Sequence, residues 1–143
     1  MDVKIVKHKM YEETPSYAKD GDAGIDLMAV AIIKSDDKHI VYNTGIALEI
    51  PKGYVGLVFP RSSIRKKDLT LSNSVGVVDS GYRGEIQCTF LKNSCTELDG
   101  NLYEVGERIC QLIIIPYPQI NLIPVQRLSD SDRGVSGHGS TGN

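Results

Sequence analysis

The chain has 143 residues, 41% of them hydrophobic, which suffices for one modest core and leaves too little for a second independent domain. Sixteen Lys and Arg are balanced by 18 Asp and Glu with no long run of either, a net charge of −2 that excludes a protein coating nucleic acid and confines any phosphate site to a local cluster. Three cysteines, Cys88, Cys95 and Cys110, form no CxxC pair and leave an odd count, the usage of a reducing compartment rather than of a disulfide framework or zinc site.

The N-terminal residues include charged Asp2, Lys4 and Lys7, and no apolar run, residues 112–115 included, comes near the length of a membrane span. A soluble cytoplasmic protein is expected, or one of the host cytoplasm if the source is viral. Asp22-Ala23-Gly24-Ile25-Asp26-Leu27 then sets acids beside a turn, an arrangement more common in structure than in catalysis. Ile46, Leu48 and Ile50 alternate with Ala47 and Glu49, and Val55, Leu57 and Phe59 alternate with smaller partners up to Pro60, as half-buried strands do. The one credible helix is a turn or two over residues 62–68. Ile86, Cys88 and Phe90 repeat the period of two, and the unbroken run 112–115 reads as a strand buried on both faces. Breakers at 51–53, 79–81, 99–101 and 116–118 punctuate the chain at the spacing of a many-stranded sandwich or barrel.

Four segments carry groups with chemical potential. Gly76-Val77-Val78-Asp79-Ser80-Gly81-Tyr82-Arg83-Gly84-Glu85 puts one acid on a glycine-rich turn with an aromatic ring three positions on. Asp79 is either a turn residue capping its own backbone or a general base that orients water; Tyr82 is either a packing residue or a platform for a sugar ring. In Pro60-Arg61-Ser62-Ser63, a serine either caps the short helix or joins the arginine and backbone N–H groups in holding an anion. In Gly106-Glu107-Arg108-Ile109-Cys110-Gln111-Leu112, Arg108 fits an ion pair and Gln111 a phosphate ligand. After Leu128 the chain turns to Ser, Gly and Asp, too little to offset its ordering entropy, so residues 129–143 are expected to be a mobile arm on a body of residues 1–128. The arm's Arg133, glycines and hydroxyls are the groups that wrap a phosphate chain, but without the lysine and strand-to-helix setting of a P-loop. His8, His39 and His138 have no nucleophile motif near them.

With Asp22-Ala23-Gly24-Ile25-Asp26-Leu27 these make five segments, whose order and spacing resemble the signature blocks of the trimeric deoxyuridine triphosphatases, from about Asp22 to Gly142. The resemblance implies an all-β, jelly-roll-like barrel with one short helix, assembled as a homotrimer with shared active sites, that splits dUTP into dUMP and pyrophosphate. It implies that Asp79 holds the attacking water and contacts the 3′-hydroxyl, and that Tyr82 lies against the deoxyribose and leaves no space for a 2′-hydroxyl. The uracil is then read by backbone between Asn73 and Gln87, including Gly76, Val77 and Val78. Arg61, Ser62, Ser63 and Gln111 are the implied phosphate contacts, while Arg133, Gly139, Ser140 and Thr141 close over the β and γ groups. A triphosphate calls for a divalent ion, Mg²⁺, held mainly by the phosphates, with Asp26 reaching it through water at most. Rival readings are a dCTP deaminase of the same fold, and a regulatory protein that signals its dUTP-bound state to a further partner; no sequence feature supports that partner.

His138 stands where the family usually has phenylalanine stacked on uracil. If its protonation helps the arm close over the triphosphate, KM for dUTP rises with pH between about 5 and 8. The expected result is that His138→Phe flattens this profile; superimposable wild-type and variant profiles would eliminate the role.

Overall fold

The structure is a computed structural model that describes residues 1–93 and 101–135. Among the described residues, ten strands form two four-stranded antiparallel sheets and a two-stranded ribbon. The ribbon pairs β1 (Lys4–Lys7) with β5 (Ile46–Glu49). One sheet has the order β2 (Ile25–Met28), β10 (Arg108–Pro116), β6 (Tyr54–Pro60) and β8 (Gly76–Val78). The other runs β3 (Ala31–Ser35), β4 (His39–Asn43), β9 (Gln87–Lys92) and β7 (Leu69–Leu71). Chain neighbours β8 and β9 fall in different sheets, so the connection 79–86 turns a corner between them rather than closing a paired hairpin. This is the expected all-β, jelly-roll-like architecture.

Period-two patterning builds the core. Ile40 and Tyr42 from β4, Ile46 and Leu48 from β5, and Cys88 and Phe90 from β9 all point inward and are buried. Tyr42, Phe90 and Tyr103 form an aromatic cluster with ring centroids 5.7 to 6.3 Å apart, edge-on or tilted, as ring quadrupoles prefer. Cys88 and Cys110 meet across the two sheets with their sulfurs 3.2 Å apart, both buried and free. The Cys88 thiol and burial together hold Cys110 well above the usual thiol range. Cys95 lies outside the described residues.

Two strand readings need correction. In β6 the deeply buried face belongs to the small partners Gly56 and Val58, while Val55, Leu57 and Phe59 are half-buried on the other face. Gly56 is required there: a Cβ would stand 2.9 Å from Ile50 Cδ1 and 3.2 Å from both Leu112 Cδ1 and Val78 Cβ. In β10 only Ile109, Cys110 and Leu112 are buried, while Ile113 and Ile114 are half-buried and Ile115 is 39% exposed, so the run is not dry on both faces. Beyond Pro116 no strand or helix follows among the described residues, and Ile120, Leu122, Ile123, Val125 and Leu128 are all more than 60% exposed. The expected helix is a 3-10 helix, Ser62–Lys66. No described helix is long and apolar enough to cross a membrane.

The Tyr42 hydroxyl donates to the Tyr103 carbonyl at 2.7 Å, and burial pushes its pKa up to about 12, as it does for Tyr11. A pKa raised on folding gives stability that is whole below the unfolded value of 10.0 and is lost as pH climbs toward 12. Urea midpoints should therefore fall between pH 9 and 11.5. Tyr42→Phe should cost about 1–3 kcal/mol at pH 7, by stranding the Tyr103 carbonyl, and make that alkaline fall shallower.

Candidate active site

Two groups of expected residues gather at opposite ends of β6. At its C-terminal end the chain leaves Pro60 into the 3-10 helix, whose N-cap position is Arg61, with extended φ of −84° and no side-chain cap bond. Neither serine caps the helix. Ser62 is exposed and its hydroxyl bonds to nothing among the described residues, while Ser63 lies beside the Tyr103 hydroxyl and its Oγ accepts a long 3.5 Å contact from Arg61 Nη1. Gln111, opposite Phe59 in the ladder and opposite Asp26 on its other side, donates from Nε2 to the Pro60 carbonyl at 3.0 Å. These pairings bring Arg61, Ser62, Ser63, Gln111 and Asp26 to one corner of the sheet.

The charges of that corner are organised by Asp26. Its Oδ1 accepts from Arg61 Nε at 2.6 Å and its Oδ2 from Arg108 Nη1 at 3.1 Å, with about a quarter of the Asp26 and Arg61 side chains exposed. Arg108 thus takes the ion-pair role open to it, and Arg61 is anchored with part of its fork already spent. Nearby, Lys67 is bound to Glu107 at 2.9 Å and sits 4.8 Å from the centre of the Tyr103 ring. Two arginines against one carboxylate leave this corner net positive, the setting an anionic ligand needs. Asp26 keeps lone pairs that could accept water, so it fits outer contact with a hydrated cation. Among the described residues no three His, Cys, Asp or Glu side chains cluster as a protein metal cage.

The second group surrounds the corner between the sheets. Val78 pairs with Gly56, so β8 runs away from Pro60, and Asp79 follows it. Asp79 Oδ atoms make no hydrogen bond or ion pair among the described residues; only its carbonyl is engaged, accepting from Tyr82 N at 3.0 Å. The self-capping reading of its side chain is therefore not what the turn uses. A cavity of about 240 Å³ opens here, lined by Asn73, Gly76, Val77, Val78, Asp79, Tyr82 and Gln87, with Val58, Leu71, Ile86 and Cys88 closing it. Its volume is below the ~300–1,000 Å³ of pockets that bury drug-sized ligands, so its walls enclose a nucleoside-sized group and leave phosphates attached to it outside. β8 is an edge strand, and its free backbone edge offers the alternating donors and acceptors that reading a base edge demands.

From Asp79 back along the ladder to Arg61 is six strand positions, about 20 Å at ~3.3 Å per residue. The cavities at the Arg61 and Asp26 corner, about 440 and 530 Å³, share no lining residue with the one at Asp79. One chain holds both groups, but apart. Arg133 lies in an exposed turn at residues 132–135, whereas His138, Gly139, Ser140 and Thr141 lie outside the described residues.

A family model for dUTPase matches residues 11–142. The chain belongs to the dUTPase family. It is 40% identical to the deoxyuridine 5′-triphosphate nucleotidohydrolase of Leifsonia xyli subsp. xyli, over 99% of this chain and 91% of that one. It is 36% identical to the namesake protein of Hydrogenobaculum sp., over 98% and 99%. Among solved structures, the dUTPase of Staphylococcus bacteriophage 80alpha with dUPNHPP superposes with a TM-score of 0.81 at 28% identity, covering 99% of both chains.

Against this dUTPase frame, the sequence reading missed two participants. Cys88 was legible as a buried strand residue, and its alternation with Gln87 was the available signal that it would floor the cavity. Asp26 as the joint between Arg61 and Arg108 was not legible, since its partners are 35 and 82 residues away. Replacing it should free two facing cations: Asp26→Ala is expected to lower stability by about 1–3 kcal/mol in urea unfolding and to raise KM for dUTP, since Arg61 loses its anchor. Unchanged KM would show that the arginines are placed without it.

Proposed function

We propose that the protein hydrolyses dUTP to dUMP and pyrophosphate at sites completed between copies of the chain in a homotrimer, keeping uracil out of DNA and supplying dUMP for dTMP synthesis. The observation that carries the shared-site reading is the separation along β6 of a nucleoside-sized cavity beside Asp79 from a cationic corner at Arg61, Ser62, Ser63 and Gln111. A triphosphate with its base in the first needs its phosphates met by the second, and another copy supplies it. The apolar outer face of β10 and the exposed apolar side chains after Pro116 favour such association, because surface of that kind is covered in stable assemblies.

In this reading the edge of β8 pairs with uracil. Cytosine, which exchanges a donor for an acceptor, leaves buried polar groups unmatched and is rejected, and the thymine methyl is refused by shape. The uncommitted Asp79 carboxylate takes a proton from water as that water attacks the α-phosphorus, and the bond to the bridging oxygen of pyrophosphate breaks. Ser62, Ser63, Gln111 and the remaining N–H groups of Arg61 bind phosphate oxygens, and Arg133 with Gly139, Ser140 and Thr141 closes over the β and γ groups. Mg²⁺, when bound to the triphosphate, supplies charge neutralisation that the arginines alone do not provide. Asp26 would meet it only through water.

Product analysis of the purified protein with Mg²⁺ and each of dUTP, dTTP, dCTP and UTP tests the reaction. Expected are dUMP and pyrophosphate from dUTP alone, with a loss of several hundredfold or more in kcat for Asp79→Asn; ammonia from dCTP would instead establish the deaminase, and tight dUTP binding without turnover the signalling reading. Subunit mixing tests the sharing. Asp79→Asn and Ser62→Ala proteins, each inactive or nearly so, should on unfolding and refolding together recover about a quarter of the wild-type rate, the share of sites in which random assembly joins two intact halves. No recovery would confine each site to one chain.

A further inference from the structure

The turn at 79–85 contains two glycines that its backbone does not require. Neither Gly81 nor Gly84 has a positive φ, so an alanine is conformationally allowed at both. Their surroundings differ. A Cβ on Gly81 would meet nothing within 4 Å, whereas one on Gly84 would stand 2.5 Å from Tyr82 Oη, 2.7 Å from Cζ and 3.1 Å from Cε2. The Tyr82 ring lies folded over Gly84, held by its hydroxyl donating to the Glu85 carbonyl at 3.1 Å, while the Glu85 carboxylate accepts from Asn43 Nδ2 on β4. Below the ring, Tyr82 N bonds the Asp79 carbonyl, and the Arg83 guanidinium bonds the Ser80 and Tyr82 carbonyls at 2.6 and 2.8 Å. The turn is therefore fixed, and the ring is the part that can yield, being 47% exposed at the mouth of the cavity.

We propose that Gly84 is a specificity-positioning residue: the absence of a side chain at 84 is the seat of the Tyr82 ring, and through that ring it sets discrimination between deoxyribose and ribose. This rests on the reading of Tyr82 as the surface against the sugar. A methyl group at 84 lifts the ring off its seat by the length of a van der Waals overlap, and the space that excludes a 2′-hydroxyl changes with it. Because an exposed ring swings toward water at little cost, the effect falls on selectivity rather than on folding.

The test compares kcat/KM for dUTP and UTP, with thermal midpoints, in wild-type protein, Gly84→Ala, Gly81→Ala, Tyr82→Ala and Gly84→Ala/Tyr82→Ala. Expected for Gly84→Ala is a fall of about tenfold or more in the dUTP to UTP ratio, the scale that one methyl-sized contact commands, with a midpoint within ~3 °C of wild type. Gly81→Ala should leave the ratio within about twofold of wild type, and Gly84→Ala should change it by no more than that in the Tyr82→Ala background, as expected for residues acting as one unit. An unchanged ratio in Gly84→Ala, an equal fall without the ring, or a Gly84→Ala protein that no longer folds would each overturn the proposal. Absence of dUTP turnover by the wild-type protein strikes the function reading itself and is seen before any variant is compared.

Discussion

Strand β6 is hydrogen-bonded on both edges, to β10 through seven residue pairs and to β8 through three, and that double pairing is what the site depends on. Its register places Gly56 and Val58 on the core face, where Ile50, Leu112 and Val78 close around a position too tight for any side chain. A slip by one residue would turn Leu57 into that space and expel Val58, which the packing of the core forbids. With the register locked, everything attached to the two ends of β6 is locked as well. One end delivers Arg61 and the serines; beside the other, β8 delivers Asp79.

The two ends are built on opposite electrostatic plans. At the Arg61 end the charges are engaged in advance: Asp26 joins Arg61 and Arg108 and so fixes the end of β6 to β2 and β10, leaving positive potential but little freedom. At the Asp79 end the carboxylate is uncommitted among the described residues, while the turn is held by backbone bonds, Arg83, the Tyr82 hydroxyl and the Glu85 carboxylate on Asn43. Binding an anion profits from donors whose geometry is settled beforehand, since little ordering remains when the ligand arrives. A general base has the other need, a lone pair free to take a proton. The proposed division of labour follows from which groups the fold leaves unsatisfied among the described residues.

How much of this was legible in the sequence follows from the range of each interaction. Alternation revealed β5 and β9 because each has a wet face and a dry one within a few residues. It failed for β3, whose Ala31, Ile32, Ile33, Lys34 and Ser35 are all exposed at a sheet edge. It misjudged β6, where a glycine sits on the buried face, and overstated the burial of β10, where Ile113 and Ile114 are half-buried and Ile115 is exposed. The site segments could be read one by one, because turns and glycine-rich strings have local chemistry. Their positions relative to one another could not, because strand pairing joins residues far apart in sequence: Asp26 to Gln111, Phe59 to Gln111, Gly56 to Val78.

That distinction also bears on the proposed division of the site between copies. A strand carries its two ends apart by ~3.3 Å per residue, so a sheet holds groups rigidly only by spacing them, and a small barrel has no second layer of chain with which to bring them back together. Long mobile loops could close the gap, but at the entropic cost of ordering them on each turnover. Bringing in a copy of the same chain closes it with surfaces already ordered, and the exposed apolar side chains beyond Pro116 give that copy something to cover. On the proposed shared-site reading the oligomer is part of the catalytic geometry: whatever weakens the association of copies removes phosphate contacts from Asp79 without touching either residue set.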